Sequence, residues 1–118
     1  MAETIETGLI TLKGTSTIEH AEMLEQFYID TSKADYAQLE LCVAYLSGCT
    51  LVVEAGDVDA QAWSDVLTVT GMSPTYHVGL LSRAFPPGDS RYLRDRLRWY
   101  VDGGASWEVC FSISVTLK

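Results

Sequence analysis

The sequence predicts an α+β fold, in which a mostly antiparallel sheet ends in a C-terminal β-meander or hairpin and two or three helices cover one face. Apolar and non-aliphatic residues alternate strictly from Trp107 to Lys118, which is typical of a strand with one buried and one wet face. Helical spacing of apolar residues near the start, and glycines or prolines between segments, complete the pattern. We expect one domain over residues 1–118.

The first quarter of the chain predicts a strand followed by a helix. Residues 4–13 are expected to form the strand, which Gly14 ends. Ser16 is followed three residues later by Glu19, a capping-box pattern that satisfies free amides at a helix start. Apolar residues then recur at helical spacing, so we expect a helix over about 17–30.

Two further helices and a short strand are expected in the middle of the chain. Residues 35–47 fit a helix, because four apolar side chains share one helical face and Gly48 follows at its end. The same residues also alternate, so a strand is the alternative. Residues 49–55 are β-branched and predict a buried strand, and a third helix is expected over about 57–69.

The last third of the chain predicts antiparallel strands over residues 75–85, 92–101 and 107–118. Asp95 falls on the apolar face of the second strand, which indicates that the strand frays or bulges there. A helix over 90–100 is the alternative.

A hairpin is expected between the last two strands, because Asp-Gly-Gly at 102–104 is a turn signal. A three-residue loop keeps both apolar faces together and places Val101 opposite Trp107 and Trp99 opposite Val109. The strand after the loop is long and is a candidate sheet edge, at which copies of the chain could pair.

Charge is unevenly distributed along the chain. The net charge is −8, yet all five arginines lie between Arg83 and Arg98, and residues 1–65 hold twelve of the sixteen acids. The acidic total disfavours nucleic-acid and anionic-membrane binding, both of which need a basic face. It leaves two surfaces of opposite sign, which could pair within the fold or with a protein partner.

The predicted strand 92–101 places arginines and tyrosines together on its solvent face. Guanidinium groups bind carboxylates in a bidentate manner and stack on aromatic rings, so this face could bind an anionic ligand or a protein partner. The alternative is that these arginines pair with acids of the same chain. With two residues from the preceding strand, the candidate binding residues are Tyr92, Arg94, Arg96, Arg98, Tyr100, Arg83 and His77.

No catalytic motif or metal-ligand spacing occurs in the sequence, so we expect no catalytic residue, metal or cofactor. Cys42, Cys49 and Cys110 are expected to be small buried or half-buried thiols in a reducing cytosol. No apolar run approaches the ~18 residues that a bilayer span requires, and the opening segment lacks the basic residues of a secretory signal. These features favour a cytoplasmic location without a membrane partner.

Together these features predict a small protein-interaction or regulatory module, such as an accessory, immunity-type or mobile-element protein, that binds a protein partner or self-associates. The alternative is a small-molecule-binding protein or minor enzyme with a pocket between the sheet and the helices. The aromatic residues expected to line that pocket are Tyr36, Tyr45, Trp63 and Trp99.

Overall fold

Every regular element that the structure describes is a β-strand. The computed structural model describes residues 3–14, 29–57, 63–70 and 74–118. The strands are β1 (Glu3–Glu6), β2 (Ile10–Gly14), β3 (Ile29–Asp30), β4 (Tyr36–Gly56), β5 (Trp63–Val69), β6 (Thr75–Ser82) and β7 (Arg96–Leu117).

Two long strands organise the sheet. β4 and β7 pair in an antiparallel manner along almost their whole length, from Ala37 opposite Leu117 to Gly56 opposite Arg96. The other side of β7 pairs in turn with β1, β2 and β3, and the other side of β4 pairs with β6 and then β5. All pairings between named strands are antiparallel, so the short strands form two broken outer rows around a central pair.

The main core lies on one face of this sheet, where alternate residues of β7 and of the first half of β4 are buried, whereas β4 is buried on both faces from Leu51 to Gly56. The β4–β7 register shifts between Val43 and Tyr45 and again between Ser47 and Cys49. Such irregularities bend strands and increase their twist. The sheet therefore curls, and apolar residues from both halves of β4 and β7 join one hydrophobic cluster.

The second irregularity depends on Gly48, which has a φ of 70°. A Cβ at this position would lie 2.3 Å from the carbonyl oxygen of Ser106 on β7. On the opposite strand, a Cβ at Gly103 would lie 2.2 Å from the buried Trp107 indole, so the indole uses the space that this glycine leaves. Asp102 and Gly103 stay in register with β4, and the bulge within β7 is formed by the residues from Gly104 to Trp107, which have no register partner on β4.

The predicted α+β class is wrong for the described residues, which contain no helix and no helical layer over the sheet. Residues 35–47 lie in β4, where the alternating positions Leu39, Leu41 and Val43 are buried. The strand alternative was therefore correct there. The alternating and helical patterns coexist in this segment, and pairing with β6 and β7 selects the strand.

The other two predicted helices fall partly on residues that the structure does not describe. Of the helix expected over 57–69, residues 63–69 form β5 and residues 58–62 lie outside the described ranges. Of the helix expected over 17–30, residues 29–30 form β3 and the rest lies outside the described ranges. None of the described residues forms a helix that is long and apolar enough to cross a membrane.

The predicted C-terminal hairpin is also wrong, because the segments on both sides of Asp-Gly-Gly belong to one strand. Val101 lies opposite Leu51 and Val109 lies opposite Leu46, so both segments pair with β4. β7 is central to the sheet, and the self-pairing predicted at its edge is therefore wrong. The predicted faces are correct, since the apolar residues of both segments are buried, and the strand begins at Arg96, directly after Asp95.

We expect Gly48→Ala to destabilise the protein more than Gly8→Ala. Both glycines have positive φ values, 70° and 71°, and the left-handed conformation alone costs a residue with a Cβ about 1–2 kcal/mol. A Cβ at Gly8 meets no atom within 4 Å, whereas one at Gly48 requires the Ser106 backbone to move. Urea unfolding should show a loss at Gly48 that exceeds the control loss by about 1–2 kcal/mol, and equal losses would contradict this view of the bulge.

Candidate functional site

Arg98 lies in a buried ion pair on the face of β7 opposite the core. Its Nε donates a hydrogen bond to Oε1 of Glu54 at 2.9 Å, and its guanidinium lies 3.5 Å from the centroid of the Trp63 ring. The side chains of Arg98 and Glu54 are only 11% and 8% exposed. The adjacent strand β4 thus supplies a carboxylate to this guanidinium, and β5, on the far side of β4, supplies an aromatic face.

Arg94 precedes β7 and pairs with a different acid. Its Nη1 donates to Oδ2 of Asp57 at 3.0 Å, and the second carboxylate oxygen of Asp57 accepts from the Asp95 amide at 3.2 Å. Arg96 lies opposite Asp30 of β3. Hydrogen bonds from the hydroxyl and the backbone amide of Ser32 lower the pKa of Asp30, and the charge of Arg96 lowers it further.

The structure separates the two tyrosines of the predicted ladder. Tyr92 makes an isolated bridge to Ser82 and lies before β7, whereas Tyr100 lies within β7. Burial raises the pKa of Tyr100, and the carboxylates of Asp65 and Glu54 add to that effect. Strand alternation therefore brings Arg96, Arg98 and Tyr100 onto one face, while Tyr92 and Arg94 lie outside the strand.

Arg83 connects three segments of the chain through backbone carbonyls. Its Nε donates to Ala34 at 2.7 Å, its Nη1 to Leu93 at 3.2 Å, and its Nη2 to Thr31 at 3.0 Å. His77 lies on β6 with Nε2 3.0 Å from Oγ1 of Thr75.

The ion pairs show that the acidic first half of the chain and the arginine segment meet within the fold. Glu54 and Asp57 come from the acidic half and contact Arg98 and Arg94. A ligand-binding role for the seven candidate residues stays a prediction. The structure adds that the guanidinium groups of Arg83, Arg94 and Arg98 contact groups of the protein itself.

The described residues contain no group of three or more His, Cys, Asp and Glu side chains that could hold a metal ion.

Cys42 is exposed, Cys49 is half-buried and Cys110 is buried, and none of the three thiols forms a disulfide. Burial raises the pKa of Cys49, which reduces the reactive thiolate fraction at neutral pH.

The four aromatic residues of the predicted pocket do not line one cavity. Trp99 is in the core against Phe111, and Trp63 covers Arg98 on the opposite face. Tyr36 and Tyr45 lie near opposite ends of the first half of β4, and Tyr45 is exposed. A pocket between sheet and helices is therefore wrong for the described residues.

Sequence reasoning missed an exposed apolar surface on β6. Tyr76, Val78 and Leu80 are 57%, 46% and 50% exposed, and we call them the β6 triplet. Their alternation is the signal that marks an apolar strand face. The structure turns the other face inward, where Leu81 is buried and His77 lies opposite Leu41 of the core.

The hydrogen-bond pattern shows which backbone groups of β6 face its partner. The amides and carbonyls of Tyr36 and Lys118 bond each other, so Tyr36 directs its backbone groups toward β7. Its neighbour Ala37 therefore directs its own groups toward β6, opposite Leu81. Odd-numbered residues of β6 bond β4, and even-numbered residues direct their amides and carbonyls away from it.

Ser82 displays this alternation directly. Its amide donates to the carbonyl of Arg91 at 2.9 Å, and its carbonyl accepts from the amide of Leu93 at 3.1 Å, both on the side away from β4. Among the described residues, β4 is the only strand that pairs with β6. The outward backbone groups therefore belong to the β6 triplet, the same residues whose apolar side chains are exposed.

β6 also differs from the other outer strands in charge. β1, β2, β3 and β5 each carry at least one acidic or basic residue, whereas β6 has the sequence TYHVGLLS without Asp, Glu, Lys or Arg. Charged residues on edge strands discourage pairing with other chains. Of the described outer strands, β6 alone lacks that protection.

Comparison with known proteins provides no family. No protein-family model and no curated protein matches the chain. Among solved structures, the chain is similar to one titled "Bacillus endospore appendages form a novel family of disulfide-linked pili", with a TM-score of 0.48 and 9% identity over 100% of this chain and 90% of that one. It is also similar to infectious bursal disease virus Gx strain, with a TM-score of 0.36 and 14% identity over 99% of this chain and 32% of that one. A third similar structure is PirA, with a TM-score of 0.34 and 13% identity over 94% of this chain and 90% of that one. These likenesses are too distant to support an argument about function.

We expect Glu54→Gln and Arg98→Met each to cost about 3 kcal/mol of unfolding free energy, because each removes one member of a buried ion pair. The double variant should lose less than the sum of the two. The matched control is Arg91→Gln at the 2.8 Å pair with Asp89, where Arg91 is 60% exposed and the loss of stability should be much smaller than at Glu54 or Arg98. Additive losses at Glu54 and Arg98 would contradict the ion pair.

The Asp89 carboxyl should titrate far below its usual range. Hydrogen bonds from Arg91 lower its pKa from 3.8 to about 2. Because the folded-state pKa lies below the unfolded value, the contribution to stability is present above about pH 4 and is lost as the pH falls toward about 2. A carboxyl NMR titration should give a midpoint near 2, and Arg91→Gln should return it toward 3.8; an unchanged midpoint would refute the pairing.

Proposed function

We propose that the protein acts as a binding module that recognises an extended segment of a protein partner along the open edge of β6. The observation that carries this proposal is that the outward backbone groups and the exposed apolar side chains belong to the same three residues, the β6 triplet. In strand addition, main-chain hydrogen bonds supply affinity and alternate side chains supply specificity. The β6 triplet offers both.

The two ends of the open edge define the length of the segment it could bind. Pro74 precedes β6 and has no amide to donate. At the other end, the backbone groups of Ser82 already bond Arg91 and Leu93. The edge therefore fits about five residues of an added strand, at the usual rise of about 3.4 Å per residue.

The neighbours of the β6 triplet indicate what the bound segment should look like. The adjacent strand β4 places three side chains on the same face of the sheet as the triplet. Gln38 lies beside Leu80, Glu40 beside Val78 and Cys42 beside Tyr76. On its open side, an added strand would place its own alternate side chains beside the triplet. We expect apolar residues at those positions, with neutral or basic flanks because the chain has a net charge of −8.

A phage-displayed library of random seven-residue peptides tests this proposal. Peptides selected on the immobilised full chain should have apolar residues at alternate positions. Val78→Lys should weaken their binding at least about tenfold, or about 1.4 kcal/mol, because a lysine on the edge opposes strand addition.

Leu9→Lys is the matched control, since Leu9 is a large exposed apolar residue outside β6. It should bind the selected peptides as the unmodified chain does. Both variants should keep the circular dichroism spectrum of the unmodified chain. Selected peptides without the alternating pattern, or equal binding by both variants, would contradict strand recognition at β6.

A further inference from the structure

We propose that the segment bound at the open edge of β6 is β6 of a second copy of this chain, paired antiparallel about a two-fold axis at Val78. The inference rests on the proposed function, because it uses the same edge. It adds the identity of the partner and the register of the pairing. The symmetry makes the contact isologous, since the same residues are used on both copies.

Backbone geometry favours this register over its neighbours. A hydrogen-bonded antiparallel pair requires two residues whose amides and carbonyls both face the new strand. With Val78 opposite the partner's Val78, Tyr76 lies opposite the partner's Leu80, and Leu80 opposite the partner's Tyr76. All three members of the β6 triplet then bond on both copies, which gives six backbone hydrogen bonds.

Shifting the centre by one residue reduces this set. A centre at His77 places Pro74, which has no amide, opposite the partner's Leu80. A centre at Gly79 places Ser82 opposite the partner's Tyr76, although the backbone groups of Ser82 already bond Arg91 and Leu93. Only the Val78-centred register uses every open backbone group of the triplet on both copies.

The side chains are complementary in the same register. The two-fold axis is perpendicular to the joined sheet, so the exposed faces of both copies lie on one side. The aromatic ring of Tyr76 lies beside the partner's Leu80, and the two Val78 side chains lie beside each other. Cross-strand pairs of aromatic and aliphatic residues stabilise sheets, so the two triplets form one apolar strip of six side chains.

Electrostatic repulsion between two acidic copies is weak at this edge. β6 has no Asp, Glu, Lys or Arg, and the carboxylate beside its centre is that of Glu40 on β4, opposite Val78. Three strand spacings of about 4.8 Å would separate Glu40 from the partner's Glu40, or about 14 Å. That separation exceeds the screening length of about 8 Å at physiological ionic strength, so this repulsion is already largely screened and added salt should change the dimer little.

The small contact predicts a reversible dimer. Three residues on each side bury less surface than a stable dimer interface usually does, so association should depend on concentration. Sedimentation equilibrium of the full chain under reducing conditions should show a monomer–dimer equilibrium that shifts toward dimer with protein concentration and changes little with added salt. Val78→Lys should weaken the association at least about tenfold, and Leu9→Lys should leave it unchanged.

Disulfide trapping tests the register itself. In a Cys42→Ser background, which removes the exposed native thiol, Val78→Cys places two thiols across the two-fold axis. Cα atoms of hydrogen-bonded antiparallel pairs are about 5.5 Å apart, within the range that a disulfide spans. Mild oxidation should convert Val78→Cys to a covalent dimer, whereas Leu9→Cys in the same background should remain mostly monomeric.

The outcomes separate this inference from the proposed function. If the chain is monomeric at every concentration while selected peptides still bind β6, the second copy is the wrong partner and strand recognition stands. A dimer that tolerates Val78→Lys, or that is trapped equally by Leu9→Cys, would overturn pairing through β6. If neither peptides nor a second copy bind, both proposals fail.

Discussion

The antiparallel pairing of β4 with β7 is the interaction on which the rest of the structure depends. Each short strand that the structure describes bonds one of these two strands, and none of the short strands pairs with another. The curvature of the sheet also comes from this pair, because its irregularities bend both strands around the common core. Gly48 and Gly103 permit the sharpest irregularity, where a Cβ on either strand would meet its neighbours.

The arginine segment illustrates how tertiary structure assigns a role that local sequence leaves open. Alternation alone places Arg98 and Tyr100 on a polar face, and that is where they lie. The sequence does not show that this face is covered by the ring of Trp63 and neutralised by Glu54, because those residues lie far away along the chain. The guanidinium of Arg98, which the sequence alone offers to a partner, thus connects β7 to β4 and β5.

The faces of the strands could be predicted, but their partners could not. A period of two is a local property, so the buried residues of 97–101 and 107–117 follow directly from the sequence. Pairing is non-local, and Asp-Gly-Gly fits a tight turn as well as it fits a strand that leads into a bulge. The segment 35–47 carries both a helical and an alternating pattern, and only the strands on either side of it decide between them. On β6 the alternation was visible, but which face is solvent-exposed depends on the register with Leu39 and Leu41.

The position of β7 in the chain has a consequence for synthesis on the ribosome. Every described strand that pairs with β7 is made before it, and the pair Glu3–Leu117 joins residues separated by almost the whole described chain. While β7 is still being translated, β1, β2 and β3 lack the strand they bond, and β4 is open along one side. Contacts of such long sequence separation form slowly. The nascent chain therefore presents an uncharged β6 and an unpaired β4 together, and unpaired strand edges of this kind are prone to aggregate.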